Sequence, residues 1–221
     1  GYAWWIERVR RALELEDFIR LDHFRGFHAY WEIPADHETA TEGRWVSGPG
    51  EALFSAIRAA MGDVPLIAED LGLITPGVRA LRQRLGFPGM KVLQFAFGGN
   101  ARSTHLPHNF TPDSIVYTGT HDNDTTRAWF AACGGHERAH ILRYLACGED
   151  DVVPAMIRAA FASVAQLAVV PMQDALGLGA EARMNFPSRT EGNWEWRVRG
   201  EQLTPEIADW LASLATLYGR A

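Results

Sequence analysis

Cysteine is scarce here: Cys133 and Cys147 are the only two among 221 residues. No second pair stands near them to suggest a zinc site. Two buried free thiols are expected rather than a disulfide, which suits a reducing compartment such as the cytoplasm. A basic block is also lacking. The 21 Lys and Arg stand against 27 Asp and Glu, a net charge of −6, which argues against nucleic acid as the main partner. No apolar run approaches the roughly 18 residues that cross a bilayer, so no membrane partner is expected. Repeats, low-complexity tracts, linkers and a visible signal peptide are absent too. The chain opens on Gly1 rather than Met, so this start need not be the protein's own. Aromatics, by contrast, are plentiful, with eight Trp. The 47% apolar content can bury a sizeable core, and the length suits one or two domains.

Helical and strand patterns alternate. Residues 4–17 predict a helix with Trp5, Val9 and Leu13 on one face, and "FIRLD" predicts a strand. A long aromatic loop is expected up to about residue 50, then a helix over 51–61 and a strand over 65–69. Thr75 and Pro76 mark a helix start by capping and by a preset φ. "MKVLQFAF" (90–97), "SIVYT" (114–118) and "QLAVVPM" (166–172) predict further strands. Helices are expected near 125–133, 136–147, 154–164 and 205–218. The last should bury Ile207, Trp210, Leu211, Leu214 and Leu217. Unbroken apolar strands alternating with helices imply an α/β fold with a parallel sheet covered on both faces. Only five such strands are found, whereas a closed (β/α)8 TIM barrel has eight.

Carboxylates recur at the ends of these runs, where parallel α/β proteins keep their sites. Arg20 and Asp22 in "FIRLDHF" share a strand face, so the arginine can hold the aspartate ionised, as a nucleophile requires. Glu69 ends "PLIAED", where burial and a neighbouring carboxylate would raise its pKa and suit a general acid. Asp70 should point the other way, towards a capping or loop hydrogen bond. In "VYTGTHDND", Gly119 permits a tight turn while His121, Asp122 and Asp124 crowd together. A divalent metal held by Asp122 and Asp124 for a nucleotide-sugar transferase is one rival, and an N-cap role for Asp124 is another. Three acids on three strand ends, with an Arg and a His, suit glycosidic bond chemistry. Two of them about 5–5.5 Å apart would give retention of configuration, and a third would stabilise the developing positive charge. Trp194 and Trp196, in a polar loop, offer flat faces for stacking on pyranose rings.

Two further patterns carry little. Gly177 and Gly179 imitate a dinucleotide fingerprint, but the residues after them do not read as the helix it needs. His136 and His140 lie one helical turn apart without an acidic third ligand, so a solvated or packed face is expected rather than a metal.

The ordered motifs "RLDHFRGF", "AEDLG", "MKVLQFAF", "LPHNF", "YTGTHDNDTT" and "GNWEWR" resemble the amylomaltase family, the 4-α-glucanotransferases of the α-amylase clan. The resemblance covers nearly the whole chain. It implies a (β/α)8 TIM barrel of which residues 1–221 form the C-terminal part, carrying strands four to eight, with three strands and their insertions upstream. By position it implies Asp22 as nucleophile, Glu69 as acid/base and Asp122 as the transition-state stabiliser. Arg20, His23 and His121 match residues that hold the nucleophile and the sugar. Asn185 in "RMNFP" and Trp194 in "NWEWR" lie where the family binds substrate. The implied partners are maltooligosaccharides or α-1,4-glucans, with no cofactor and no metal. The same acids would serve an α-glucan hydrolase, and a non-catalytic glucan-binding fragment is a further alternative. One departure is visible: Ser188 stands where the family usually has Gly, a substitution that matters if φ there is positive.

Overall fold

The first expected strand forms as β1 (Ile19–Leu21) and pairs in parallel with β4 (Leu66–Ala68), in register Ile19↔Leu66 and Leu21↔Ala68. The computed structural model describes residues 1–221, which divide into two compact units, Gly1–Met90 and Lys91–Ala221.

In the first unit α1 (Ala3–Leu13) precedes β1, and α3 (Gly50–Met61) precedes β4. The α4 helix (Pro76–Leu85) starts as its sequence predicts, with Thr75 Oγ1 accepting a bond from Val78 N and Pro76 in the first turn. Every residue of β4 is buried. The core beneath is aromatic: Phe24, Phe54 and Phe87 meet at centroid distances of 5.3 to 6.2 Å, with Leu53, Ile57 and Leu81 around them. The expected loop over 24–50 is instead a short helix, α2 (Arg25–His28), and an antiparallel hairpin, β2 (Ala29–Glu32) with β3 (Arg44–Ser47). That hairpin places Trp31 opposite Trp45, ring centroids 5.4 Å apart. Its strands are only four residues long and separated by eleven residues, too far apart for a short-turn signal.

The second unit holds a three-stranded sheet in the order β5 (Gly89–Val92), β6 (Ser114–Tyr117), β7 (Leu167–Val169), with β5 beginning at the boundary. β5 stops at Val92, five residues before the apolar run ends, because Leu93–Phe95 turns into a 3-10 helix. The helices α5 (Thr126–Ala132), α6 (Gly135–Leu145), α7 (Val152–Ala162) and α9 (Pro205–Leu217) match expectation within a few residues. A four-residue α8 (Met172–Ala175) follows β7. Leu93, Phe97, Leu106, Ile141 and Met156 fill the core. On α9 the expected stripe is only partly used: Leu214 is buried, Ile207, Trp210 and Leu211 are half-buried, and Leu217 is exposed. No helix is long and apolar enough to cross a membrane.

Candidate active site

In the first unit the β1–β4 register carries Asp22 and Glu69 to the C-terminal ends of two neighbouring parallel strands. Adjacent strands run about 4.8 Å apart, so the two residues sit as direct neighbours across the strand pair. Arg20 and Asp22 share a face as their spacing requires, and the guanidinium Nη2 lies 2.8 Å from Asp22 Oδ1. Asp22 is otherwise well exposed, its side chain 76% accessible.

Glu69 is half-buried rather than buried, a correction to the expectation that burial dominates there. Backbone groups hold it instead. Its Oε2 accepts from His23 N and its Oε1 from Leu71 N, each at 2.8 Å. Its own N–H donates to Leu21 O, and its carbonyl accepts from Phe24 N. His23 adopts φ 46°, left-handed for a non-glycine residue, at the turn where its N–H meets the Glu69 carboxylate. Asp70 points away as expected. It accepts from Met90 N at 2.8 Å and pairs with the buried Arg82, Nε to Oδ2 at 3.2 Å.

In the second unit the loop after β6 carries His121 and Asp122. Asp122 Oδ1 accepts from Asn185 Nδ2 at 2.6 Å and lies 3.5 Å from His121 Nε2. The His121 ring leans on Trp194 with centroids 5.1 Å apart. Trp194 is half exposed and, like Ser188, has positive φ, at 64° and 71° respectively. Ser188 thus occupies a left-handed position that a non-glycine residue takes at some cost. Asp124 does not cap α5; Thr125 does, its Oγ1 accepting from Ala128 N, while Asp124 Oδ1 accepts from Thr125 N. Asp124 Oδ2 faces Arg183 at 3.5 Å. No group of three or more His, Cys, Asp or Glu side chains is placed to hold a metal ion. The Asp122 carboxylate is engaged by the Asn185 amide, and that of Asp124 by a backbone N–H and a guanidinium.

The structure thus brings Arg20, Asp22, His23 and Glu69 together in the first unit, and His121, Asp122, Asn185 and Trp194 together in the second. Sequence reasoning missed Arg183, which donates to Asp122 O at 2.8 Å and to Asn185 O at 2.9 Å. It also missed Asp174, a fourth acid following an apolar run, in "LAVVPMQD". That repeated pattern was the signal available. The histidines take structural contacts: His140 Nδ1 meets Phe97 O, and His108 meets Tyr144 and Ala101 O.

Comparison with known proteins follows the same lines. The family model described as 4-alpha-glucanotransferase, glycoside hydrolase family 77, matches residues 1–204. The 4-alpha-glucanotransferase of Thermus thermophilus is 53% identical over 97% of this chain and 45% of its own length. The chloroplastic/amyloplastic 4-alpha-glucanotransferase of Arabidopsis thaliana is 50% identical over 99% of the chain and 39% of its own. The chain therefore spans less than half the length of these relatives. Amylomaltase from Streptococcus agalactiae, solved in complex with acarbose, superposes with a TM-score of 0.94 at 38% identity, covering 99% of this chain and 45% of that one.

Proposed function

Because this chain belongs to the 4-alpha-glucanotransferase family, we propose that the protein carrying it moves α-1,4-glucan segments between maltooligosaccharide acceptors. The observation that carries this reading is the register of β1 against β4, which sets Asp22 beside Glu69 at adjacent strand ends. In the proposed cycle Asp22 attacks the anomeric carbon while Glu69 gives its proton to the departing 4-oxygen. A glycosyl ester on Asp22 results, with the configuration inverted once. Glu69 then takes the proton of an incoming glucan 4-hydroxyl, whose oxygen displaces Asp22 and inverts the centre again. Asp122 stabilises the positive charge that develops at the anomeric carbon in both steps. Arg20 pairs with Asp22 and fixes its orientation, and His23, His121, Asn185 and Trp194 bind sugar. The aromatic face of Trp194, half exposed beside His121, supports a stacking role. No cofactor enters this cycle.

We further propose that β1, β4, β5, β6 and β7 are strands four to eight of a (β/α)8 barrel, with the remaining strands supplied upstream. Two exposures support this. In the first unit, a groove of about 710 Å3 beside β1 is lined by Trp4, Trp5 and Ile19 together with Arg8, Arg20 and Asp22. In the second, Leu167 of β7 is 39% exposed, although its strand reads as wholly apolar. A reducing compartment such as the cytoplasm suits the two free thiols.

Incubating the full-length protein with maltotriose tests the activity. Glucose plus a ladder of longer maltooligosaccharides, lost in Asp22→Asn, is the expected result. Glucose and maltose without a ladder would make the enzyme a hydrolase.

A further inference from the structure

Asp174 is the only acid that the fold buries, at 2% exposure. It lies on α8, five residues past the end of β7. Every partner of its carboxylate is neutral. Oδ2 accepts from Thr118 Oγ1 at 2.6 Å and from Thr126 Oγ1 at 2.7 Å, and Oδ1 accepts from Thr126 N at 2.7 Å. A charge placed so deeply without a cation is costly, and three short charge-assisted bonds offset that cost. An apolar residue would fill the space but leave the buried Thr126 N–H and two threonine hydroxyls without their acceptor, so the carboxylate and its donors stand or fall together.

Those donors stand at particular places in the chain. Thr118 directly follows β6, and Thr126 is the first residue of α5. Between them runs the loop 119–125, which carries His121, Asp122 and Asp124. One carboxylate therefore ties both ends of that loop to a single point. Gln94 braces the same base. Its Nε2 donates to Asp124 O at 3.0 Å, and a Cβ on Gly119 would stand 2.6 Å from that nitrogen. From the other side Arg183 grips Asp122 O. A carboxylate that stabilises a transient positive charge works only when it is already in place, because reorganising it would consume the stabilisation it provides.

We propose that Asp174 is a positioning residue for Asp122: by closing the loop 119–125 at both ends, it holds the Asp122 carboxylate in one fixed place and orientation on its own unit, as transition-state stabilisation requires. The inference rests on the stabilising role assigned to Asp122 above.

The test is a double-mutant cycle on the full-length protein, with α-maltosyl fluoride as donor and maltose as acceptor, read as fluoride release. This donor leaves without acid assistance, so weak variants remain measurable. Asp174→Asn alone should lower kcat about 10- to 100-fold, the cost of a misplacement near 1 Å, while the donor KM changes less than about two-fold. Acarbose, whose amine nitrogen becomes cationic on protonation, should lose affinity in step with kcat. In an Asp122→Asn background the same change should alter kcat by less than about two-fold, since the group it positions is already disabled. If Asp174→Asn fails to fold, Thr118→Val removes one tether without the buried charge and should show a smaller loss with the same non-additivity. Multiplying effects in the double variant, or a lowered melting temperature with unchanged kcat per folded molecule, would overturn the inference and leave the Asp122 assignment standing. Full activity in Asp122→Asn alone would overturn both.

Discussion

Gly89 faces Asp70 with no room for a side chain: a Cβ there would stand 2.5 Å from Oδ2. The carboxylate cannot retreat, since Met90 N and Arg82 Nε hold it from two sides. Gly89→Ala should cost about 1–3 kcal/mol by forcing those bonds apart. Asp70→Ala should cost more, about 3–5 kcal/mol, because it strands a buried guanidinium. Urea unfolding midpoints of the two variants check both size and order; equal midpoints for Gly89→Ala and the parent would refute the packing argument. The direction of Asp70 was legible from strand alternation alone, because neighbours on a strand point to opposite faces. The partners of Asp122 were not. Asn185 lies 63 residues away along the chain, and Arg183 reaches a backbone carbonyl, which no pattern of side-chain types records.

The β5 strand and the loop that follows it are joined by His105, whose Nδ1 accepts the Val92 N–H at 3.0 Å. Burial, helped by the nearby Lys91 charge, holds this imidazole down to about 4, and the bond requires the unprotonated nitrogen. In the unfolded chain a histidine titrates near 6.5. The unfolded state therefore binds the extra proton first as pH falls, and stability is lost between about pH 6.5 and 4. His105→Asn keeps an acceptor that does not titrate. Its melting temperature should fall less steeply than the parent's across that window, and parallel slopes would contradict the assignment. Other elements teach what pattern reading can do. Helix α4 was legible to the residue because Thr75 and Pro76 act locally. The end of β5 and the β2–β3 hairpin were not, because one depends on a turn into 3-10 geometry and the other on pairing across an eleven-residue gap.

In the molecule as a whole, acids at strand ends were readable because an apolar run that terminates in a carboxylate leaves few cheap structural reasons for it. Asp22, Glu69 and Asp122 were singled out as candidates that way. Asp174 obeys the same rule, yet its burial and its duty to a distant loop are tertiary facts that no local pattern contains. The cysteines, read as buried free thiols, are unpaired but only half-buried; partial burial still pushes the Cys133 thiol up to about 11, which makes it a poor nucleophile at neutral pH. The central claim is that Asp22 forms a covalent bond to the sugar while Glu69 serves as acid and then base. The most direct measurement is intact-protein and peptide mass spectrometry of the full-length Glu69→Gln variant after mixing with α-maltosyl fluoride. Fluoride departs without an acid, and no base remains to activate an acceptor. A maltosyl adduct should therefore accumulate on the peptide containing Asp22 and vanish in Asp22→Asn/Glu69→Gln. An adduct on any other residue, or fluoride release with no adduct, would contradict the account.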